Sequence, residues 1–205
     1  MRQWKRWSGL VVLVVVLAQW LWDNTPGAGV AVARSSASSP AGAASGAAAS
    51  PPTGQETAQV LGVYFTPPSG AGKELVQWID QARQEVVVQA YGFTHNAIAQ
   101  ALLRAHARGV KVMVLLDQKS QSTNQYVIDL LQGERVPLKY DGRHAIAHNK
   151  VMVMDNNLVV TGSFNFTNSA DSRNAENLLV LRSEALAARY RANWQTHWDH
   201  AVPAP

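Results

Sequence analysis

The sequence has no cysteine among its 205 residues, which excludes a disulfide framework, Cys-based zinc sites and a cysteine nucleophile together. Charge is sparse at 16%, and no dense cluster of Asp and Glu offers a carboxylate metal site. No residue is therefore assigned to a metal, and no cofactor is expected. No apolar run reaches the about 20 residues of a membrane-spanning helix; the run at residues 9–22 is shorter and is broken by Gln19. Global basicity is missing once the charge is located. Lys and Arg number 18 against 14 Asp and Glu, but four of the former and one of the latter stand in residues 1–55, leaving 14 against 13. The formal charge of +4 is therefore no argument for a nucleic-acid partner.

What is present divides the chain into three. Arg2, Lys5 and Arg6 precede the apolar run at 9–22, the layout of an export signal. Residues 1–33 are read as a signal peptide cleaved after Ala31-Val32-Ala33, or as an uncleaved anchor attached to a membrane through residues 9–22, with Trp20 and Trp22 at the interface. Both outcomes place the rest outside the cytoplasm, periplasmic or secreted. Residues 34–55 are almost entirely Ala, Ser, Gly and Pro and read as a linker. Residues 56–205 have the size of one packed domain.

Within that domain, apolar β-rich runs alternate with amphipathic stretches, which predicts an α/β fold: a mixed, partly parallel sheet flanked by helices on both faces. Strands are expected at 59–65, 86–88, 110–116, 136–140, 150–154, 158–161 and 177–181. Helices are expected at 73–83, from an N-cap at Thr94 to Gly109, at 124–132, and after an N-cap at Ser183, with Leu186, Tyr190, Trp194 and Trp198 facing the sheet. Residues 86–116 then form a right-handed βαβ unit.

The chemistry concentrates in one stretch, H-x-K-x4-D-x6-G-S-x-N, formed by His148, Lys150, Asp155, Gly162, Ser163 and Asn165. A hairpin with Asn156 and Asn157 as a two-residue loop pairs Lys150 with Ser163 and His148 with Asn165. Alternation then sends these four to one face and Asp155 and Gly162 to the other. The patch suits a phosphodiester. Lys150 neutralises a non-bridging oxygen, Ser163 and Asn165 donate hydrogen bonds, and His148 attacks phosphorus or donates a proton near neutral pH. Asp155, beside the turn, is read as structural. Arg143, with Lys139 and His144, makes the approach to the motif basic and is a candidate substrate-binding residue. His95, at a helix start, is expected to face solvent.

The stretch from His148 to Asn165 resembles the HKD motif of the phospholipase D superfamily at every fixed position. The resemblance extends to Tyr91-Gly-Phe-Thr94, Ile98-Ala-Gln-Ala-Leu102, Arg108 to Asp117, and Gly162-Ser-Phe-Asn-Phe-Thr167 with Arg173-Asn-Ala-Glu-Asn177, which are similar to the small secreted bacterial endonucleases of that superfamily. It implies a phospholipase D-like α/β/α sandwich and a DNA or RNA substrate. It also implies that His148 is a nucleophile forming a phosphohistidine, and that Glu176 holds the His148 imidazole in its working tautomer. The family uses two HKD motifs per site, whereas this chain has one H-x-K. A homodimer with the site across its interface is therefore expected, with the second His148 as general acid. A phospholipase or cardiolipin hydrolase held at a membrane is the alternative. An inactive nucleic-acid-binding module is a further one, against which the intact motif argues.

Overall fold

The computed structural model describes residues 57–204. The segments read as an export signal (1–33) and as a linker (34–55) lie outside the described residues, and with them the choice between signal and anchor. Among the described residues, no helix is long and apolar enough to cross a membrane.

Eight strands form one sheet in the order β1-β7-β6-β5-β2-β3-β4-β8. They are β1 Gln59–Thr66, β2 Glu85–Ala90, β3 Lys111–Asp117, β4 Leu138–Asp141, β5 Lys150–Met154, β6 Leu158–Gly162, β7 Glu176–Arg182 and β8 Val202–Pro203. The helices are α1 Ala71–Gln81, α2 Asn96–Ala107, α3 Gln121–Gly133, α4 Asn168–Ser172 and α5 Glu184–His200. Strands β2, β3 and β4 run parallel, and β2 meets β5 antiparallel. The sheet is thus mixed, and the βαβ unit at its centre is the one the sequence predicts.

The central strands are covered on both faces, which is why they read as continuous apolar runs rather than alternating ones. Val86, Val88, Ala90, Met152 and Met154 pack with Leu75 and Ile79 of α1, Ile98 and Leu102 of α2, and Val127 and Leu131 of α3. Val87, Leu115, Val151, Val153 and Val159 pack on the other face against Ala187 and Trp194, with Leu186, Tyr190 and Trp198 alongside. Trp194 is 1% exposed and its indole N–H donates to the Val88 carbonyl at 2.9 Å, so the tryptophan stripe of α5 is core. The Ser183 hydroxyl caps α5 by accepting from the Leu186 amide. At the other end of that helix, Asp141 of β4 is 1% exposed. Burial disfavours its ionisation, but hydrogen bonds from His197, the Arg143 amide and His200 outweigh that and hold the carboxyl at about 2.

Two local expectations change. The N-cap of α2 is His95, one residue after Thr94, because the Thr94 and His95 amides both donate to the Phe166 carbonyl and fix the chain there first. His95 does not face solvent: its side chain is 12% exposed and its Nε2 lies 3.7 Å from Asp171, an acid that also accepts from the Gly72 amide of α1.

The hairpin between β5 and β6 also differs. Its register runs Met152↔Val160, Val153↔Val159 and Met154↔Leu158, so the loop is Asp155-Asn156-Asn157, with φ of 51° at Asp155 and 53° at Asn156. Asp and Asn tolerate this left-handed backbone better than other side chains. The extra residue lets the Asp155 carboxylate accept from the amides of Arg83, Gln84 and Glu85 at 2.7–3.1 Å. These amides lead into β2, of which Glu85 is the first residue, so one side chain joins the hairpin turn to the start of the central strand. Replacing Asp155 by Ala leaves the three amides without that acceptor and should cost about 2 kcal/mol. Thermal unfolding should show a fall of roughly 5–8 °C for a domain of this size; an unchanged midpoint would show that the contact carries no stability.

Candidate active site

The motif side chains meet where the sheet opens. Pairing between β5 and β6 ends at Met152↔Val160. Beyond it β5 stays with β2 as far as Lys150↔Ala90, while β6 stays with β7 as far as Gly162↔Leu178. Parting of the two strands leaves a hollow of about 360 Å³ lined by His148, Lys150, Gly162, Ser163, Asn165 and Glu176. The shorter register makes Lys150 extrapolate across from Gly162 rather than Ser163, so the face assignment drawn from a two-residue turn is off by one. Gly162 lines the hollow and only Asp155 stands apart.

Each lining residue is held by its own contacts. Lys150 is 7% exposed. Its ammonium donates to the His148 carbonyl at 2.8 Å and sits 5.4 Å from the centre of the Tyr91 ring. Burial lowers its pKa below the ordinary lysine value, and the negative charge of Glu176 pulls the other way. The His148 imidazole is exposed and packs against the same Tyr91 ring, centroids 4.8 Å apart. The Asn165 amide oxygen accepts from the Gly92 amide at 3.3 Å, which leaves the amine of that side chain as a donor for the hollow. Gly162 has φ of 152°, and a Cβ there would strike the carbonyl oxygen of Asn177, so this turn out of β6 requires glycine.

Ser163 and Glu176 depart from their expected roles. The Ser163 hydroxyl donates to Glu176 at 2.6 Å and accepts from the Asn177 amide at 3.1 Å. Its single proton is thereby committed within the chain, and Ser163 is not a free donor for a substrate oxygen. The Glu176 carboxylate accepts from Ser163 and from the Asn174 amide group at 3.1 Å. It makes no hydrogen bond to His148, because the serine and asparagine lie closer to it.

The basic approach dissolves in the structure. Arg143 is exposed and does not line the hollow; its amide N–H turns back to Asp141. Lys139 donates to the Trp198 carbonyl, and His144 faces Asp141. Two residues that sequence reasoning left without a role in the site do position it. Asn124, fully buried in the first turn of α3, donates to the Tyr91 carbonyl and accepts from the Phe93 amide, fixing the loop that carries Tyr91 and Gly92. Asp117 accepts from the Ala147 amide at 2.7 Å just before His148. In sequence both belong to the polar stretch from Asp117 to Gln125, and only their burial marks them.

The family model for the cardiolipin synthase, phospholipase D-like domain matches residues 75–198. The chain belongs to the phospholipase D-like family. A protein of Rickettsia conorii named phospholipase D is 43% identical over 130 residues, which cover 63% of this chain and 65% of that protein. The chain thus spans just under two thirds of that relative. The solved structure of Nuc from Salmonella typhimurium, a phospholipase D family member, is 31% identical with a TM-score of 0.68, covering 73% of this chain and 99% of that one. NucT from Helicobacter pylori shares the fold at 22% identity and a TM-score of 0.61, covering 72% and 100%. The phospholipase D-like sheet with helices on both faces is the architecture described above.

The buried lysine of this phospholipase D-like site sets a stability test. Its pKa is lowered on folding, so the unfolded chain binds the proton more tightly. The group therefore costs stability below its folded pKa, and that cost fades as pH rises through the folded pKa toward the ordinary lysine value. Lys150→Met keeps the apolar stem and removes the charge. Its thermal midpoint at neutral pH should match or exceed that of the wild type while turnover falls by at least about 10²-fold. A variant that is both destabilised and active would contradict this placement of the ammonium.

Proposed function

We propose that the chain is one half of an exported phosphodiesterase, a nuclease acting without strong specificity on DNA or RNA, whose reaction centre uses lysine charge in place of a metal. The chemistry of the hollow supports the phosphodiesterase reading: an exposed imidazole beside a buried ammonium and an amide donor, in a chain with a single H-x-K. The nucleic-acid reading rests on the resemblance of Tyr91 to Thr94 and Gly162 to Asn177 to the small secreted endonucleases of the superfamily. Export rests on Arg2, Lys5 and Arg6 ahead of the apolar run.

In the proposed reaction a neutral His148 nitrogen attacks phosphorus, and a P–N bond forms as the P–O bond to the leaving group breaks. The leaving oxygen takes a proton from the protonated imidazole of the partner's His148. That imidazole, now neutral, accepts a proton from water, and the resulting nucleophile attacks phosphorus and breaks the P–N bond. Two copies of Lys150 offset the charge on the non-bridging oxygens, and Asn165 donates to one of them. The second histidine has to come from another chain, so the active species is a two-fold homodimer.

Phospholipid is the competing substrate, favoured by the name phospholipase D carried by the 43% identical Rickettsia conorii protein. Parallel assays on plasmid DNA, RNA and phospholipid vesicles separate the two. Nucleic acid should be cleaved at least about 10²-fold faster than lipid diester, and the reverse order would replace the nuclease reading. His148→Ala should lower turnover by at least about 10³-fold while substrate binding persists. Mixed with wild type, it should reduce activity in proportion to hybrid dimers. Activity in isolated monomers would overturn the shared site.

A further inference from the structure

Away from the hollow, three of the chain's six histidines converge on one carboxylate. Asp141 closes β4, His144 follows in the loop after it, and His197 and His200 stand one turn apart at the end of α5. One nitrogen or oxygen from each of the four lies within 4.8 Å of the other three. Nδ1 of His197 is 2.6 Å and Nδ1 of His144 is 3.4 Å from Oδ2 of Asp141, and Nε2 of His200 is 3.1 Å from Oδ1. The rings of His144, His197 and His200 stand with centroids 5.0–5.7 Å apart. Four donors about 2.0–2.2 Å from a common tetrahedral centre lie roughly 3.3–3.5 Å from one another. The observed separations bracket that spacing, and three imidazoles with one carboxylate form a complete four-ligand set.

We propose that Asp141, His144, His197 and His200 bind one divalent transition-metal ion of the zinc class. Imidazole ligands favour zinc and its first-row neighbours over magnesium or calcium, which take oxygen. Four protein ligands leave no open position for substrate, so the ion is structural and takes no part in the phosphoryl chemistry. Its location defines its work. The loop at 142–147 runs from Asp141 into His148, and an ion shared by β4, this loop and the last turn of α5 ties the backbone ahead of the nucleophile to the far helix. The absence of cysteine and of clustered acids excluded two kinds of metal site, but not one built of histidines from distant parts of the chain.

The test uses the full chain, stripped with chelator, incubated with zinc chloride and desalted. Wild type should retain about one zinc per chain by elemental mass spectrometry, and cobalt in its place should give a visible tetrahedral absorption band. Zinc should raise the thermal midpoint by roughly 5–10 °C. The His144 side chain is 47% exposed, so His144→Ala should fold with an unchanged circular dichroism spectrum, lose stoichiometric retention and show no zinc-dependent rise; Asp141→Asn serves as a second ligand variant. If wild type retains less than about a tenth of an equivalent and melts alike with and without zinc, the cluster is a set of aspartate–histidine ion pairs and the proposal fails. Equal retention by wild type and both variants would overturn it as well.

Discussion

The site depends on where two neighbouring strands stop being partners. From Met154 back to Met152, β5 hydrogen-bonds β6 on one side and β2 on the other. At Lys150 only the bond to β2 survives, and at Gly162 β6 holds only β7. A sheet that parted without support would leave amides bare at substantial cost. Here the freed backbone is taken up locally: the Ser163 and Phe164 amides donate to the Asn177 carbonyl, the Phe166 amide to Gly92, and the Tyr91 amide to Asn149. Glycine at position 162 makes the divergence possible, since any side chain there would collide with Asn177.

The electrostatics of the hollow follow from that opening. Lys150 enters from a strand covered on both faces, so its charge is desolvated and available to a phosphate oxygen at higher strength than a surface lysine's. Glu176 faces it from β7 with its oxygens occupied by Ser163 and Asn174, which keeps one negative charge near the ammonium without an ion pair that would quench it. Tyr91 lies under both the His148 ring and the Lys150 ammonium, and Asn124 and Asn165 hold the loop that carries it.

Much of this was legible in the sequence because its signals are local. Apolar runs marked β2, β3 and β5, Ser183 and the 3.6-residue stripe marked α5, and motif spacing brought His148, Lys150, Ser163 and Asn165 together, with Gly162 joining them against the expected face. What escaped depended on contacts between distant segments. The Asp155-Asn156-Asn157 loop took three residues rather than two because the Asp155 carboxylate serves amides of residues 83–85. Glu176 turned to Ser163, Arg143 stayed out of the hollow, and Asp141 gathered histidines from the last turn of α5 and a loop, contacts between elements that residue spacing along any one of them does not register.

In the proposed reaction the exposed nitrogen of His148 takes the phosphoryl group. Rapid quenching of a turnover mixture into alkaline denaturant, which preserves phosphohistidine, followed by peptide mass spectrometry, tests it most directly. A nucleotidyl or phosphoryl adduct should appear on the peptide containing His148, present during turnover and gone once substrate is exhausted. Full turnover with no adduct at His148, or an adduct on another residue, would contradict it.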